Sequence, residues 1–362
     1  MNKENEKKIR VLIVDDSNVT RNLFIGILER DPRFELVGVA VNGKQAIDYV
    51  EQFKPDVVSM DIEMPVMDGI MATRHLMRHH PVPILIVSNL YSPEKVELSM
   101  EVLEAGALSI IPKPQGPGHP RYAYIVKQYL QMLKSLSEVK VVRRRFFIPG
   151  STTTYTKPAT TNTVSERKEK PIVTDDFKVM LIGASAGGPD AIKALLSRLP
   201  ASFPLPILLV QHIDPHFAEA YRSWLQGNTV LKVKFATTNQ MLLPGYVYMA
   251  PGDLHLVVAS DDMATLSSEP PVKGHRPCVS MLFQSARDVY CEKVIALLLS
   301  GMGADGAFEM KLLRDCGAFT IAQDEQSCLV FGMPNEAIKL GGARKVLDPT
   351  QIADELIKLY NL

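Results

Sequence analysis

Three polar residues in the C-terminal half occupy the same kind of position. Ser185 follows the apolar run VMLIGA, His212 follows ILLVQ, and Asp305 follows VIALLLSGMGA. Together they supply what acyl transfer needs: a hydroxyl nucleophile, a base to take its proton, and a carboxylate to orient the base. They converge only if the three strands are neighbours, which spacing does not establish. Around Ser185 the pattern is G-x-S-x-G, Gly183 to Gly187, followed by Gly188 and Pro189. Glycines permit a tight turn and proline suits the first position of a helix, whose apolar residues Ala191, Ile192, Leu195, Leu196 and Leu199 follow at helical spacing. Backbone N–H groups at such a helix start can stabilise an oxyanion. A dinucleotide loop fails on one position, because Ser185 stands where G-x-G-x-x-G has its second glycine, at which the backbone approaches a pyrophosphate. The common α/β-hydrolase order of serine, acid, histidine fails too, since the last histidine, His275, precedes Asp305. The order Ser185, His212, Asp305 stays open, with His216, His255 and His275 as competing bases. Each residue also has a structural alternative: a turn serine, a histidine satisfying backbone groups, a helix-capping aspartate.

A second constellation lies in the N-terminal half. Asp15 and Asp16 end the run IRVLIV, Asp61 ends DVVSM, Ser88 ends ILIVS and Lys113 ends SIIPK. All fall at the carboxyl ends of candidate parallel strands, the edge where open α/β sheets build their sites. Three carboxylates repel one another unless a hard cation joins them, and Mg²⁺ suits a few carboxylates plus waters and a phosphoryl group. An aspartate beside Mg²⁺ and a lysine is placed to accept a phosphoryl group as an acyl phosphate. Lys113 and Ser88 would hold the phosphoryl oxygens, and a phosphorylated Asp61 would act as a switch.

Both constellations need α/β scaffolds. From Ile9 to about Leu136 short apolar runs alternate with amphipathic stretches, FELVGVA supplying the fifth strand, as in parallel strands joined by helical crossovers. Residues 137–176, with RRR, GSTTTYT and PATTNTVSERKEKP, offer little that could be buried and read as an exposed tether. A second alternating region runs over 177–362. The chain of 362 residues therefore divides into a domain at 1–136, a linker at 137–176 and a domain at 177–362. Its 40 basic and 40 acidic side chains cancel, which disfavours recruitment by nucleic acid or an anionic membrane surface. No apolar run approaches the ~20 residues that span a bilayer, and the N-terminus lacks a signal-peptide core, so the expectation is a cytoplasmic protein without membrane insertion. Four cysteines spaced 13, 25 and 12 residues apart lack any CxxC and read as reduced thiols.

The motifs VDDS, DIEMPVMDG and PKP resemble the response-regulator receiver domain, over about residues 8 to 130. That resemblance implies a flavodoxin-like (βα)5 fold, Asp61 as phosphoacceptor, Mg²⁺ held by Asp15, Asp16, Asp61 and the backbone carbonyl of Glu63, and a phosphoryl site at Ser88 and Lys113. The position where many receivers carry an aromatic switch residue is Ile110. GASAGG, VQHI, APGDLHL, HRP, LLLSGMGADGA, AQDEQSC and GMPNEAI, in that order, resemble the catalytic domain of the chemotaxis protein-glutamate methylesterase family. This implies a doubly wound parallel α/β domain with Ser185 as nucleophile, His212 as general base and Asp305 orienting it, and with Met302 beside the site. It further implies hydrolysis of γ-glutamyl methyl esters on methyl-accepting chemoreceptors, deamidation of glutamines, control by a chemotaxis histidine kinase as phosphodonor, and no cofactor for the ester hydrolysis itself. An adaptor whose esterase-like domain binds without turnover is the alternative. Three positions depart from the family: Ala186 replaces a common threonine, Asp214 and Pro215 follow VQHI, and Ser280 in HRPCVS stands where aspartate is usual.

Overall fold

In the computed structural model residues 7–88, 93–139, 141 and 177–362 are described. Of the expected linker, residue 140 and residues 142–176, the triple arginine included, lie outside the described residues.

The first unit alternates strand and helix five times: β1 (Ile9–Val14), α1 (Asn18–Glu29), β2 (Phe34–Ala40), α2 (Gly43–Phe53), β3 (Val57–Met60), α3 (Gly69–His79), β4 (Ile84–Ser88), α4 (Pro93–Glu104), β5 (Ser109–Pro112) and α5 (Tyr122–Ser137). The sheet order is β2-β1-β3-β4-β5 with every pair parallel. Helices cover both faces, so β3 and β4 are buried throughout and β1 is buried from Val11 onwards, with no alternation. Local signals start the first three helices: Ser17, Asn42 and Asp68 each accept a hydrogen bond from a first-turn N–H. The flavodoxin-like (βα)5 expectation is met.

The second unit contains β6 (Val179–Ala184), α6 (Gly188–Leu196), β7 (Ile207–Gln211), α7 (Ala218–Gly227), β8 (Lys232–Phe235), β9 (Gln240–Met241), β10 (Tyr246–Met249), β11 (His255–Ser260), β12 (Met263–Ser267), α8 (Val279–Tyr290), β13 (Val294–Leu298), α9 (Ala307–Asp315), β14 (Phe319–Gln323), α10 (Met333–Lys339), β15 (Lys345–Leu347) and α11 (Pro349–Tyr360). Its main sheet is parallel with order β15-β14-β13-β6-β7-β10-β8. The chain winds from β6 outwards through β7, then returns to the other side of β6 through β13. That reversal is the switch point at which such sheets open a crevice. It makes β13, β6 and β7 consecutive neighbours, the condition the sequence left undecided. A small antiparallel sheet, β11-β12-β9, was not anticipated; its strands pair about a turn at Asp261 and Asp262, with Asp262 at φ 56, and α8 packs against it.

The two units touch. Helix α4 packs on α6 and α7, Glu104 pairs with Lys193 at 2.5 Å, and Arg121 Nη1 lies 3.1 Å from His216 Nε2. Among the described residues no helix is long and apolar enough to cross a membrane.

Candidate active site and phosphoryl site

Backbone hydrogen bonds carry the second sheet's pattern past its strand ends and set the three polar residues side by side. The Ser185 N–H donates to the Ser300 carbonyl at 3.0 Å, and the His212 N–H to the Ala184 carbonyl at 2.9 Å. Gln211, the last residue of β7 and almost fully buried, donates through Nε2 to the carbonyls of both Ser185 (2.8 Å) and His212 (3.0 Å). One amide thus ties Ser185 and His212 together. Sequence reasoning missed it, although a polar residue closing a buried apolar strand is a legible signal.

Two glycines explain how the turn fits. Gly187 has φ 74, and a Cβ there would sit 2.5 Å from Leu329 Cβ and 2.6 Å from Ser300 Oγ. At Gly301 a Cβ would meet Met333 Sδ at 2.3 Å and Ser185 Cβ at 2.9 Å. Helix α6 begins three residues after Ser185 with Pro189 in its first turn, so the positive end of its dipole lies close to the serine.

Asp305 is 4 % exposed yet heavily solvated by protein. His212 Nε2 lies 2.9 Å from its Oδ2; Val279 N–H donates to Oδ2 at 2.7 Å and Ser280 N–H to Oδ1 at 2.9 Å; Ser280 Oγ lies 2.6 Å and Cys278 Sγ 3.1 Å from Oδ1. The two N–H donors open α8, so Asp305 caps that helix from another part of the chain. This answers the capping alternative: the residue does cap, but not its own helix, whose N-cap is Gly306. Burial alone would raise its pKa, but the hydrogen bond and charge of His212, with Ser280 and Cys278, outweigh burial and hold the carboxyl well below its usual range. Cys278 stays a neutral thiol, pushed up to about 12 by burial and then by the Asp305 charge.

An ionised Asp305 accepts, so the proton of a neutral His212 resides on Nε2. Nδ1 is then the basic nitrogen, buried and without a hydrogen-bond partner. His275 stacks flat on His212, ring centroids 4.1 Å apart and planes 4° from parallel. Of the competing histidines, His255 is fully buried and bonded to the Pro270 carbonyl, and His216 is paired with Asp214. Met302 is half-buried in the loop that leads to Asp305, packed against the core.

Ser280 receives a role the sequence did not suggest. Its hydroxyl lies between Asp305 Oδ1 (2.6 Å) and Glu309 Oε2 (2.7 Å) and accepts from the Gly306 N–H at 3.0 Å. At the position where the family usually has aspartate, the serine supports the Asp305 carboxylate. Replacing Ser280 with alanine is expected to lower kcat about 10-fold with KM nearly unchanged, since one hydrogen bond to a charged group is worth ~1.5–3 kcal/mol; steady-state kinetics checks this.

In the first sheet, Asp15, Asp61, Ser88 and Lys113 are all buried, while Asp16 and Glu63 are exposed. Lys113 Nζ bridges Asp15 Oδ2 (2.7 Å) and Asp61 Oδ2 (2.6 Å). Burial raises the Asp61 pKa, Lys113 pulling only part of it back. Burial works against the Lys113 ammonium, but the two carboxylates outweigh it and its pKa rises. Carboxylate oxygens of Asp15, Asp16 and Asp61 lie within 4.8 Å of one another, a hard-oxygen set that fits Mg²⁺. Ile110 is packed in the core, so no ring at that position can swing on phosphorylation.

A receiver-type sheet with an aspartate–lysine pocket, joined to a doubly wound sheet with a serine, a histidine and an aspartate in the segments that follow three adjacent strands, points to the class: a response regulator whose output is an α/β esterase domain. Residues 11–121 match the response regulator receiver domain family and residues 180–356 the CheB methylesterase family. A protein-glutamate methylesterase/protein-glutamine glutaminase of Geobacter metallireducens is 41% identical, covering 97% of this chain and 99% of that one. One from Nitrosospira multiformis is 40% identical over 97% of each. A solved CheB methylesterase catalytic domain of Thermotoga maritima is 36% identical, with a TM-score of 0.49, covering 51% of this chain and 98% of that one. The chain belongs to the protein-glutamate methylesterase/protein-glutamine glutaminase family.

Proposed function

We propose that this protein hydrolyses γ-glutamyl methyl esters on chemoreceptors, and deamidates glutamines by the same route, under control of phosphorylation at Asp61. The observation that carries the reading is the placement of Ser185, His212 and Asp305 on three adjacent strand ends, with His212 Nε2 committed to Asp305 and Nδ1 left unpartnered. Ser185 Oγ attacks the side-chain carbonyl while His212 Nδ1 takes its proton, and the start of α6 offsets the oxyanion charge. Collapse of the tetrahedral intermediate expels methanol, which leaves with the proton from His212; a glutamine amide loses ammonia instead. Water, deprotonated by His212, then attacks the acyl-enzyme and releases glutamate and Ser185. Ser185 and His212 are not hydrogen-bonded through Nδ1 here, as is common before substrate tightens a site. No residue of this site calls for a cofactor.

In the receiver unit Asp15, Asp16, Asp61 and the Glu63 carbonyl would hold Mg²⁺, which offsets charge on the transferring phosphoryl oxygens. Lys113 and Ser88 would bind those oxygens once Asp61 carries the group, the donor being a chemotaxis histidine kinase of the same cytoplasmic signalling array. The contacts of α4 with α6 and α7, and the Glu104–Lys193 pair, connect that pocket to the helix behind Ser185. The esterase domain corresponds to 177–362 and the receiver to 1–136.

Methanol release from a methylated receptor fragment tests the reading. Release should rise on addition of a small acyl-phosphate donor with Mg²⁺, and Asp61→Asn should abolish that rise while keeping the basal rate within about twofold, because the substitution leaves the esterase groups untouched. An unchanged phosphodonor response in Asp61→Asn would sink the switch; absence of methanol in every condition would sink the esterase.

A further inference from the structure

The stacked pair of imidazoles has an unusual support. Residues 272–275 form a tight turn closed by reciprocal backbone hydrogen bonds between Val272 and His275, at 3.1 and 3.0 Å, with Lys273 (φ 50) and Gly274 (φ 89) both in the left-handed region. That is the conformation of a type I′ turn, which fixes the direction of the residue leaving it. Arg276 pins the next step: its guanidinium reaches Asp253 Oδ1 at 2.8 and 3.0 Å and the carbonyls of Ser268 and Glu269. Two residues later Cys278, Val279 and Ser280 grip Asp305. One short segment therefore holds both members of the His212–Asp305 pair, the imidazole by its face and the carboxylate by its oxygens.

We propose that His275 is a positioning residue of the esterase reaction: a neutral imidazole laid flat on His212, which keeps the plane of the general base fixed while that base carries the Ser185 proton. The inference rests on the esterase reading. His212 has one in-plane tether, Nε2 to Asp305, and a single tether leaves the ring free to rock about it. A parallel ring 4.1 Å away removes that freedom and keeps water off one face. The partner must be uncharged, because two stacked imidazolium rings would repel. The charged groups near His275 are few: His212 and Asp305 act on it, while Arg276 is turned to Asp253. Burial and then His212 push its pKa down to about 4, against the pull of Asp305, so the ring is held in its neutral form.

The test compares His275→Ala with His275→Phe in the full chain, using a peptide carrying a γ-glutamyl methyl ester. His275→Ala is expected to lower kcat about 10- to 100-fold with KM within about twofold, the scale of a small misplacement of a reacting group. His275→Phe retains a flat face and should stay within about threefold of wild type, with the acid limb of kcat/KM unmoved. In the NMR spectrum the ring-current shift of the His212 ring protons should vanish in His275→Ala and persist in His275→Phe. Equal loss in both variants, or loss of the acid limb in His275→Phe, would show that the imidazole nitrogens matter and overturn the proposal. Full activity in His275→Ala would overturn it as well. A wild type that released no methanol would defeat the esterase reading instead, and the ring-current arm would still decide the stack.

Discussion

Ser185→Ala is expected to lower kcat about 10⁵- to 10⁶-fold while leaving the thermal midpoint within a degree or two. The size follows from chemistry: without the hydroxyl no acyl-enzyme forms, and only binding and oxyanion stabilisation remain, as in other serine hydrolases stripped of one triad member. The silence in stability follows from the structure. Ser185 is tied to its neighbours through the main chain, its N–H to Ser300 and its carbonyl to Gln211, and alanine keeps both bonds. Alanine also fits the space, because the Cβ that abuts Gly301 is retained. Methanol release and calorimetry on the same preparation check both halves. A loss of only a few-fold would mean that water, activated by His212, attacks the ester directly.

Asp305→Asn should cost about 10³- to 10⁴-fold in kcat and also reduce stability, by roughly 1–2 kcal/mol. An amide cannot accept from every donor that Asp305 now satisfies. If its oxygen takes the Oδ1 place, against the Ser280 N–H, its NH₂ takes the Oδ2 place, where it meets the Val279 N–H and His212 Nε2 and favours the tautomer with the proton on Nδ1, which has no lone pair to receive the Ser185 proton. If it turns the other way, the NH₂ points at the start of α8. The lost charge matters in either case, since the carboxylate complements the positive end of that helix. The sign of the pH effect follows from its depressed pKa. A carboxyl held below its unfolded value of about 3.9 contributes stability that is fully present above that value and is lost as pH falls towards the folded one. The asparagine variant should therefore show a flatter dependence of thermal midpoint on pH below about 4 than the wild type. Identical curves would mean that Asp305 is not the stabilising carboxylate.

The two predictions draw on different layers of information, and so did the reading of the site. Ser185, His212 and Asp305 were legible as candidates because Ser185 and His212 directly follow continuous apolar runs and Asp305 lies in the loop after a third, and in a parallel sheet covered on both faces such a run has to be a strand and its end has to open on the crevice edge. Asp15, Asp61, Ser88 and Lys113 were legible for the same reason. The small sheet formed by β9, β11 and β12 was not, because its short strands pair locally and sit outside the alternation of strand and crossover.

By itself, the order of apolar runs and polar stops determined the α/β class of the fold and put the candidate site residues at the carboxyl edge of the sheets, since those depend on periodicity and residue type along the chain. Only the tertiary structure decided that β13, β6 and β7 are adjacent, that Gln211 ties Ser185 to His212, and that His275 lies on His212. It also decided that Ser280 and the start of α8 hold Asp305 ionised. The bonds of Gln211 to Ser185 and of Asp305 to the start of α8 join residues 25 or 26 positions apart, for which local pattern carries no register. The side of β6 to which the chain returns, and the turn that aims His275, are set by packing and backbone geometry rather than by residue type alone.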